Sequence, residues 1–139
     1  MKKILVFISV LCICLMVKAS DDVFINALRT CSNFRDSGTV NTEGVSAKTT
    51  KQITGWHDGK CTYKENIKMN GLNINMTCHF TKAQIQEITS VADAYYLTLK
   101  YSQEQTDLSS PDAAKNNPLA NVFNKYLQDQ SVCEMNGLQ

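Results

Sequence analysis

Hydrophobic and polar positions change period along this 139-residue chain, and the change divides it into strands and helices. Leu72, Ile74, Met76, Cys78 and Phe80 alternate strictly with Asn73, Asn75, Thr77 and His79, the signature of a half-buried strand. Ahead of them, Met69-Asn70-Gly71-Leu72 predicts a two-residue type I′ hairpin, because Asn-Gly supplies both positive-φ positions. That turn sets Met69 across from Leu72, Ile67 from Ile74, Tyr63 from Cys78 and Cys61 from Phe80. Upstream, Val45, Ala47, Thr49 and Ile53 share one parity in a segment rich in β-branched residues.

Two registers can join that segment to the next across residues 55–60. A two-residue Asp58-Gly59 turn sets Trp56 across from Cys61 and sends Ile53 to the other face. A three-residue loop, His57-Asp58-Gly59 with Gly59 as a left-handed bulge, sets Ile53 across from Tyr63. The second keeps every apolar position on one side, so the bulged loop is expected.

At Thr81 the period becomes helical. Thr81-Lys82-Ala83-Gln84 is a capping box, with Phe80 and Ile85 spaced for a hydrophobic staple. Ile85, Ile88, Ala92, Tyr95 and Leu99 form one stripe, beside Val91, predicting a helix over 82–102. A shorter stripe (Val23, Phe24, Ala27, Leu28, Cys31) follows two acids and predicts a first helix over 22–31. Residues 32–44 are polar, broken by Gly38 and Gly44, and read as a loop in which Val40 could sit in a brief extended piece. Residues 103–109 read as a second loop. Ser110-Pro111 and Asn117-Pro118 are helix starts. The last helix carries Leu119, Val122, Phe123, Tyr126 and Leu127 and ends near 131–133. The expected fold is a single α+β domain over 20–139: an N-terminal helix, a three-stranded antiparallel meander, a long capped helix packed on its apolar face, and a C-terminal helix.

The first residues stand outside that pattern. Met1-Lys2-Lys3 precedes an apolar run over 4–17, and Val17-Lys18-Ala19 has the small residues of a cleavage site, so 1–19 reads as a signal peptide. The run is too short for a spanning helix, and Leu11 and Ile13 before Cys12 and Cys14 do not suit lipid attachment. No stable membrane insertion is expected after cleavage. The Lys-Lys start is bacterial in style, which places the protein in the periplasm or outside the cell. In that setting the glycosylation pattern Asn75-Met76-Thr77 carries no meaning.

Cleavage also changes the charge. Lys2, Lys3 and Lys18 leave, so the 13 acidic residues come to outnumber the basic ones by two. No run of like charges remains, and the sequence offers no electrostatic footprint for nucleic acid or for an anionic membrane. Four cysteines remain, Cys31, Cys61, Cys78 and Cys133, and an even number behind an export signal predicts two disulfides. The pairing Cys61–Cys78 with Cys31–Cys133 is favoured, since the first two share a sheet face as diagonal neighbours. The second bridge would close a long loop, worth ~4–5 kcal/mol in the chain-entropy model. Cys31–Cys61 with Cys78–Cys133 is the alternative.

Catalytic constellations are not apparent. No nucleophile elbow or phosphate-cradling loop occurs, no metal or cofactor motif is present, and both bridges would consume the thiols. His57 and His79 are expected toward one end of the sheet near Asp58, where an acid–base pair or metal site is conceivable, although both read more simply as solvated side chains. Glu65 falls on the apolar face across from Met76 and reads as a carboxylate reaching past its neighbours to water, the alternative being a lone acid that lines a pocket. Trp56, beside Gly55 at a loop tip and out of phase with Ile53, could anchor a partner or cover a small cluster with Phe34. The functional expectation is a non-catalytic, disulfide-stabilised binding domain for a protein, glycan or small molecule, with Trp56, His57, Asp58 and His79 as candidate contacts. The alternatives are a secreted protease inhibitor presenting the 55–61 hairpin, and a small hydrolase or metal site built on His57 and His79.

Overall fold

The computed structural model describes residues 21–42, 44–101 and 117–137. The expected leader, the loop over 103–109 and the helix start at Ser110-Pro111 lie outside them, as does the side chain of Leu99. Helix α1 (Asp21–Thr30) is followed by strands β1 (Phe34–Thr42), β2 (Val45–His57), β3 (Lys60–Met69) and β4 (Leu72–Phe80). Helices α2 (Lys82–Tyr101) and α3 (Pro118–Leu127) come next, and then β5 (Cys133–Asn136). The strands form one antiparallel sheet in the order β1-β2-β3-β4-β5.

The sheet therefore has five strands, where three were expected. The segment taken for a loop is β1, which pairs with β2 from Phe34↔Ile53 to Thr42↔Val45. Its side chains are almost all exposed, with Phe34 and Val40 half-buried. An edge strand held by backbone hydrogen bonds with so little burial leaves no alternation to read. At the other edge, the last helix ends at Leu127, short of the expected 131–133. A tight turn, with Val132 N–H and Cys133 N–H both donating to the Asp129 carbonyl (2.9 Å each), swings the chain into β5. β5 then pairs Cys133 with Cys78 and Asn136 with Asn75. Just beyond it, Gly137 (φ +97°) passes so close to β4 that a Cβ there would lie 2.0 Å from the Asn73 carbonyl oxygen, an approach open only to glycine.

The β3–β4 pairing follows the predicted register at every position from Met69↔Leu72 to Cys61↔Phe80. Asn70 and Gly71 adopt φ of 47° and 80°, as a type I′ turn requires. Between β2 and β3 the register is also as predicted, with Ile53 across from Tyr63, but the device that produces it is different. The turn has two residues, Asp58 (φ 52°) and Gly59 (φ 75°), and the extra residue is absorbed within β2 as an irregularity between Ile53 and Gly55. Gly55 takes a φ of 107°, which no β-branched residue would tolerate. The bulge lets Ile53 pair with Tyr63 and Trp56 with Cys61 at once, so the two registers that seemed exclusive coexist along one strand.

The helical layer holds α1, α2 and α3, where the long helix alone was expected to cover the sheet. α2 opens with the predicted capping box: Thr81 N–H donates to Gln84 Oε1 (2.8 Å) and Gln84 N–H to Thr81 Oγ1 (3.2 Å). Phe80, Ile85, Ile88 and Ala92 are fully buried beneath it. On one flank, the Arg29 guanidinium of α1 grips Asp93 through two bonds of 2.7 and 3.0 Å. On the other, Lys125 and the Tyr126 hydroxyl of α3 both donate to Glu87. α3 begins as its sequence predicts, with Asn117 Oδ1 accepting from the N–H groups of Leu119 and Ala120. Its Phe123 and Tyr126 meet Phe80 edge-on, 6.5 and 5.8 Å between centroids.

The disulfides adopt the alternative pairing, Cys31–Cys61 and Cys78–Cys133. β5 sets Cys133 directly across from Cys78, their Cα atoms 4.1 Å apart, so the diagonal neighbour Cys61 is left for Cys31, 5.9 Å away at the end of α1. The first helix thus docks on β3. There Cys31 N–H donates to the Leu28 carbonyl and Ser32 N–H to the Ala27 carbonyl (3.1 and 2.9 Å), a Schellman end with Cys31 at a φ of 51° where glycine is usual. With loops of 30 and 55 residues, each bridge is worth about 3.5–4 kcal/mol in the chain-entropy model.

Glu65 lies on the inner face across from Met76, as expected, but its burial beside Lys51 was not foreseen. Lys51 and Glu65 are register partners, 7% and 2% exposed. The Tyr63 hydroxyl donates to Glu65 Oε2 at 2.7 Å, and the Lys51 ammonium lies 5.3 Å from the centre of the Phe24 ring. Glu65 is thus a buried carboxylate among polar partners, not one reaching to water. Glu65→Ala, which takes the carboxylate from beside Lys51, is expected to cost about 3–5 kcal/mol in denaturant unfolding. Lys51→Met with Glu65→Leu should recover most of that loss.

The interhelical pairs set an acid response. Hydrogen bonding from Arg29 holds the Asp93 carboxyl below its ordinary 3.8, and hydrogen bonds from Lys125 and Tyr126 hold Glu87 below 4.5. A carboxyl depressed in the folded state adds stability above its unfolded value and loses it as pH falls through the folded one. Unfolding midpoints measured against pH should fall below pH 4.5, less steeply in Asp93→Asn. The effect is small because both pairs are exposed to solvent.

Candidate functional site

The sequence-derived candidates gather loosely at one end of the sheet. Asp58 forms the β2–β3 turn, His57 pairs with Lys60, and His79 pairs with Thr62. All but Thr62 are exposed, and His79 Nδ1 lies 3.2 Å from Thr62 Oγ1. Among the described residues no group of three His, Cys, Asp or Glu side chains is placed to hold a metal ion. Trp56 sits across from Cys61 with 45% of its surface exposed. Phe34, the expected cover for it, packs instead on Phe24, 5.6 Å between ring centroids.

A concavity lies elsewhere, on the outer face of the sheet. A trough of about 450 Å³ lies across β1–β4, within the usual range of ligand sites, about 300–1,000 Å³. The register arranges the outward side chains of the sheet in three rows across the strands, and the trough lies over their β1–β4 part. One row runs Arg35–Gln52–Lys64–Thr77 and ends at Glu134 on β5. The next runs Ser37–Thr50–Asn66–Asn75–Asn136 and contains only hydroxyls and amides. The third runs Thr39–Lys48–Lys68–Asn73. At about 3.3 Å per residue, the two cationic rows stand about 13 Å apart. Glu65 and Met76 also border the trough, but both are buried and occupy inner-face register positions.

The middle row is tied together by hydrogen bonds. Asn66 Nδ2 donates to the side-chain oxygens of Asn73 and Asn75, both at 2.7 Å, and the Ser37 and Thr50 hydroxyls lie 3.0 Å apart. With their oxygens engaged by Asn66, Asn73 and Asn75 keep their NH₂ groups as donors. Arg35, Lys48, Lys64 and Lys68 form no ion pair among the described residues. On β1–β4 the outward positions of these rows carry no carboxylate; the nearest in register is Glu134 at the β5 margin.

Lys48 and Lys68 stand directly across from each other. Side chains so placed have Cβ atoms about 4.5–5.5 Å apart, and like charges there destabilise a sheet. This face is not legible as a motif because its cations are scattered from Arg35 to Lys68 and never form a run. The signal was present in the parity of the strands: Lys48, Lys64 and Lys68 all fall on the polar phase. Chemically, the rows of the trough supply positive charge and hydrogen bonds, and their outward side chains include no thiol, imidazole or carboxylate before Glu134.

No protein-family model matches this chain, and neither a curated protein nor a solved structure is similar to it. The fold defines a class by architecture: a doubly disulfide-bonded α+β domain with helices on one sheet face and a polar, cationic trough on the other.

Proposed function

We propose that this protein is a small exported bacterial binding domain, working in the periplasm or outside the cell, that holds an anionic partner on the outer face of its sheet. The leader pattern and the two disulfides favour an oxidising compartment. No helix among the described residues is long and apolar enough to cross a membrane. The observation that carries the reading is the facing pair Lys48 and Lys68, on a face whose strands β1–β4 bring no outward acid to the trough. Such an arrangement costs stability in the free protein, and an anion lying between the two ammonium groups would offset that cost.

The double variant Lys48→Gln/Lys68→Gln tests this directly, with inorganic polyphosphate as the probe in calorimetry at low salt. Binding should weaken by about tenfold or more, while the unfolding midpoint stays level or rises as the repulsion is relieved. Unchanged affinity would refute the assignment.

A second reading has one observation of its own: Trp56 is 45% exposed beside the β2–β3 turn, where it would suit a protein contact. On that reading, Trp56→Ala abolishes capture of a protein partner with little change in stability. A partner retained at full strength by the variant eliminates the hairpin as the contact.

A further inference from the structure

We infer that the occupant of the trough is an acidic polysaccharide, laid across the strands along the row that holds Thr50, Asn66 and Asn75. This rests on the reading of the outer face as the binding surface and adds the chemistry of the ligand. The floor of the trough is neutral and made of hydroxyls and amides, groups that match the hydroxyls of a sugar chain donor for acceptor. Cations flank that floor on both sides: Arg35 and Lys64 in one row, Lys48 and Lys68 in the other. The rows are about 13 Å apart, and the trough crosses the four strands β1–β4, about 14 Å at 4.8 Å per strand step. A polymer with neutral contacts along its axis and carboxylates projecting to either side fits that layout by charge and by form.

Other polyanions fit less well. Single-stranded nucleic acid is held by aromatic side chains on which bases stack, and the three rows contain none. An anionic membrane surface is engaged by apolar groups sunk into the interface, and every outward side chain of the rows is polar. An acidic protein partner would call for aromatic or aliphatic anchors at the centre of the contact; here the centre is Thr50, Asn66 and Asn75.

The experiment measures binding of the full chain to oligogalacturonate, to its fully methyl-esterified form, to polyphosphate, to single-stranded DNA and to phosphatidylglycerol vesicles. Oligogalacturonate should bind, and its ester about tenfold or more weakly. Thr50→Val with Asn75→Ala should weaken oligogalacturonate binding and leave polyphosphate binding unchanged; Asn66→Ala serves in place of either variant that fails to fold. The inference is overturned if DNA or vesicles bind more tightly than the oligosaccharide, or if the floor variants weaken both probes alike. Polyphosphate binding that is lost in Lys48→Gln/Lys68→Gln, beside oligogalacturonate that binds no better than its ester, overturns the polysaccharide and leaves the outer-face reading standing. If no anionic probe binds, both fall.

Discussion

A displacement of one residue between β2 and β3 would exchange the two faces of the sheet, turning Ile53 and Ala47 out to water and Lys48 and Gln52 in beneath the helices. The irregularity at Thr54 and Gly55 guards against that exchange. It takes up the residue that the tight Asp58-Gly59 turn leaves over, so the apolar phase of β2 stays on the side of Tyr63 and Ile67. Because the side-chain period of a strand is two, register decides face, and face decides everything above and below the sheet. The packing of β2 beneath the helical layer and the β2–β3 part of the outer trough both presuppose this one local distortion.

The inner face is held by unlike forces. Beneath α2 and α3 the packing is aromatic and aliphatic, centred on Phe80. Beneath α1 a carboxylate, an ammonium and a phenol share the space: Glu65, Lys51 and Tyr63. Burying such a set stabilises less than an apolar cluster of the same size would. It does couple β2 to β3 at the rows that continue, on the other side, into the trough. The Cys31–Cys61 bridge then pins α1 over the same strands, and Cys78–Cys133 pins the short β5 that would otherwise be a weak edge. Each bridge thus secures an element that packing alone holds poorly.

The outer face has no such constraint from the core, and its composition is free to answer to something else. A solvated sheet face needs only polar side chains, and a mixture of signs would lower its energy. This one carries Arg35, Lys48, Lys64 and Lys68 without an acid among its β1–β4 rows, and keeps its middle row neutral and hydrogen-bonded. Segregation of that kind within a chain whose opposite charges nearly balance means the acids lie elsewhere. Asp93 and Glu87 are on the helices, where they hold the layer together.

Where a residue's environment is set by its near neighbours in the chain, the sequence was legible. The Asn70-Gly71 turn, the strict alternation of β4, the Thr81 capping box and the Asn117-Pro118 start each depend on four or five consecutive residues, and each is found where expected. Tertiary structure alone decided the rest. β1 and β5 are strands because an edge was available to pair with, not because their residues alternate. The cysteines paired as they did because β5 brought Cys133 to Cys78, from 55 positions away. The trough exists because register lines up polar positions of four strands that no window along the chain would place together. Local chemistry chooses the elements; only the order in which they lie side by side chooses which distant residues share a surface.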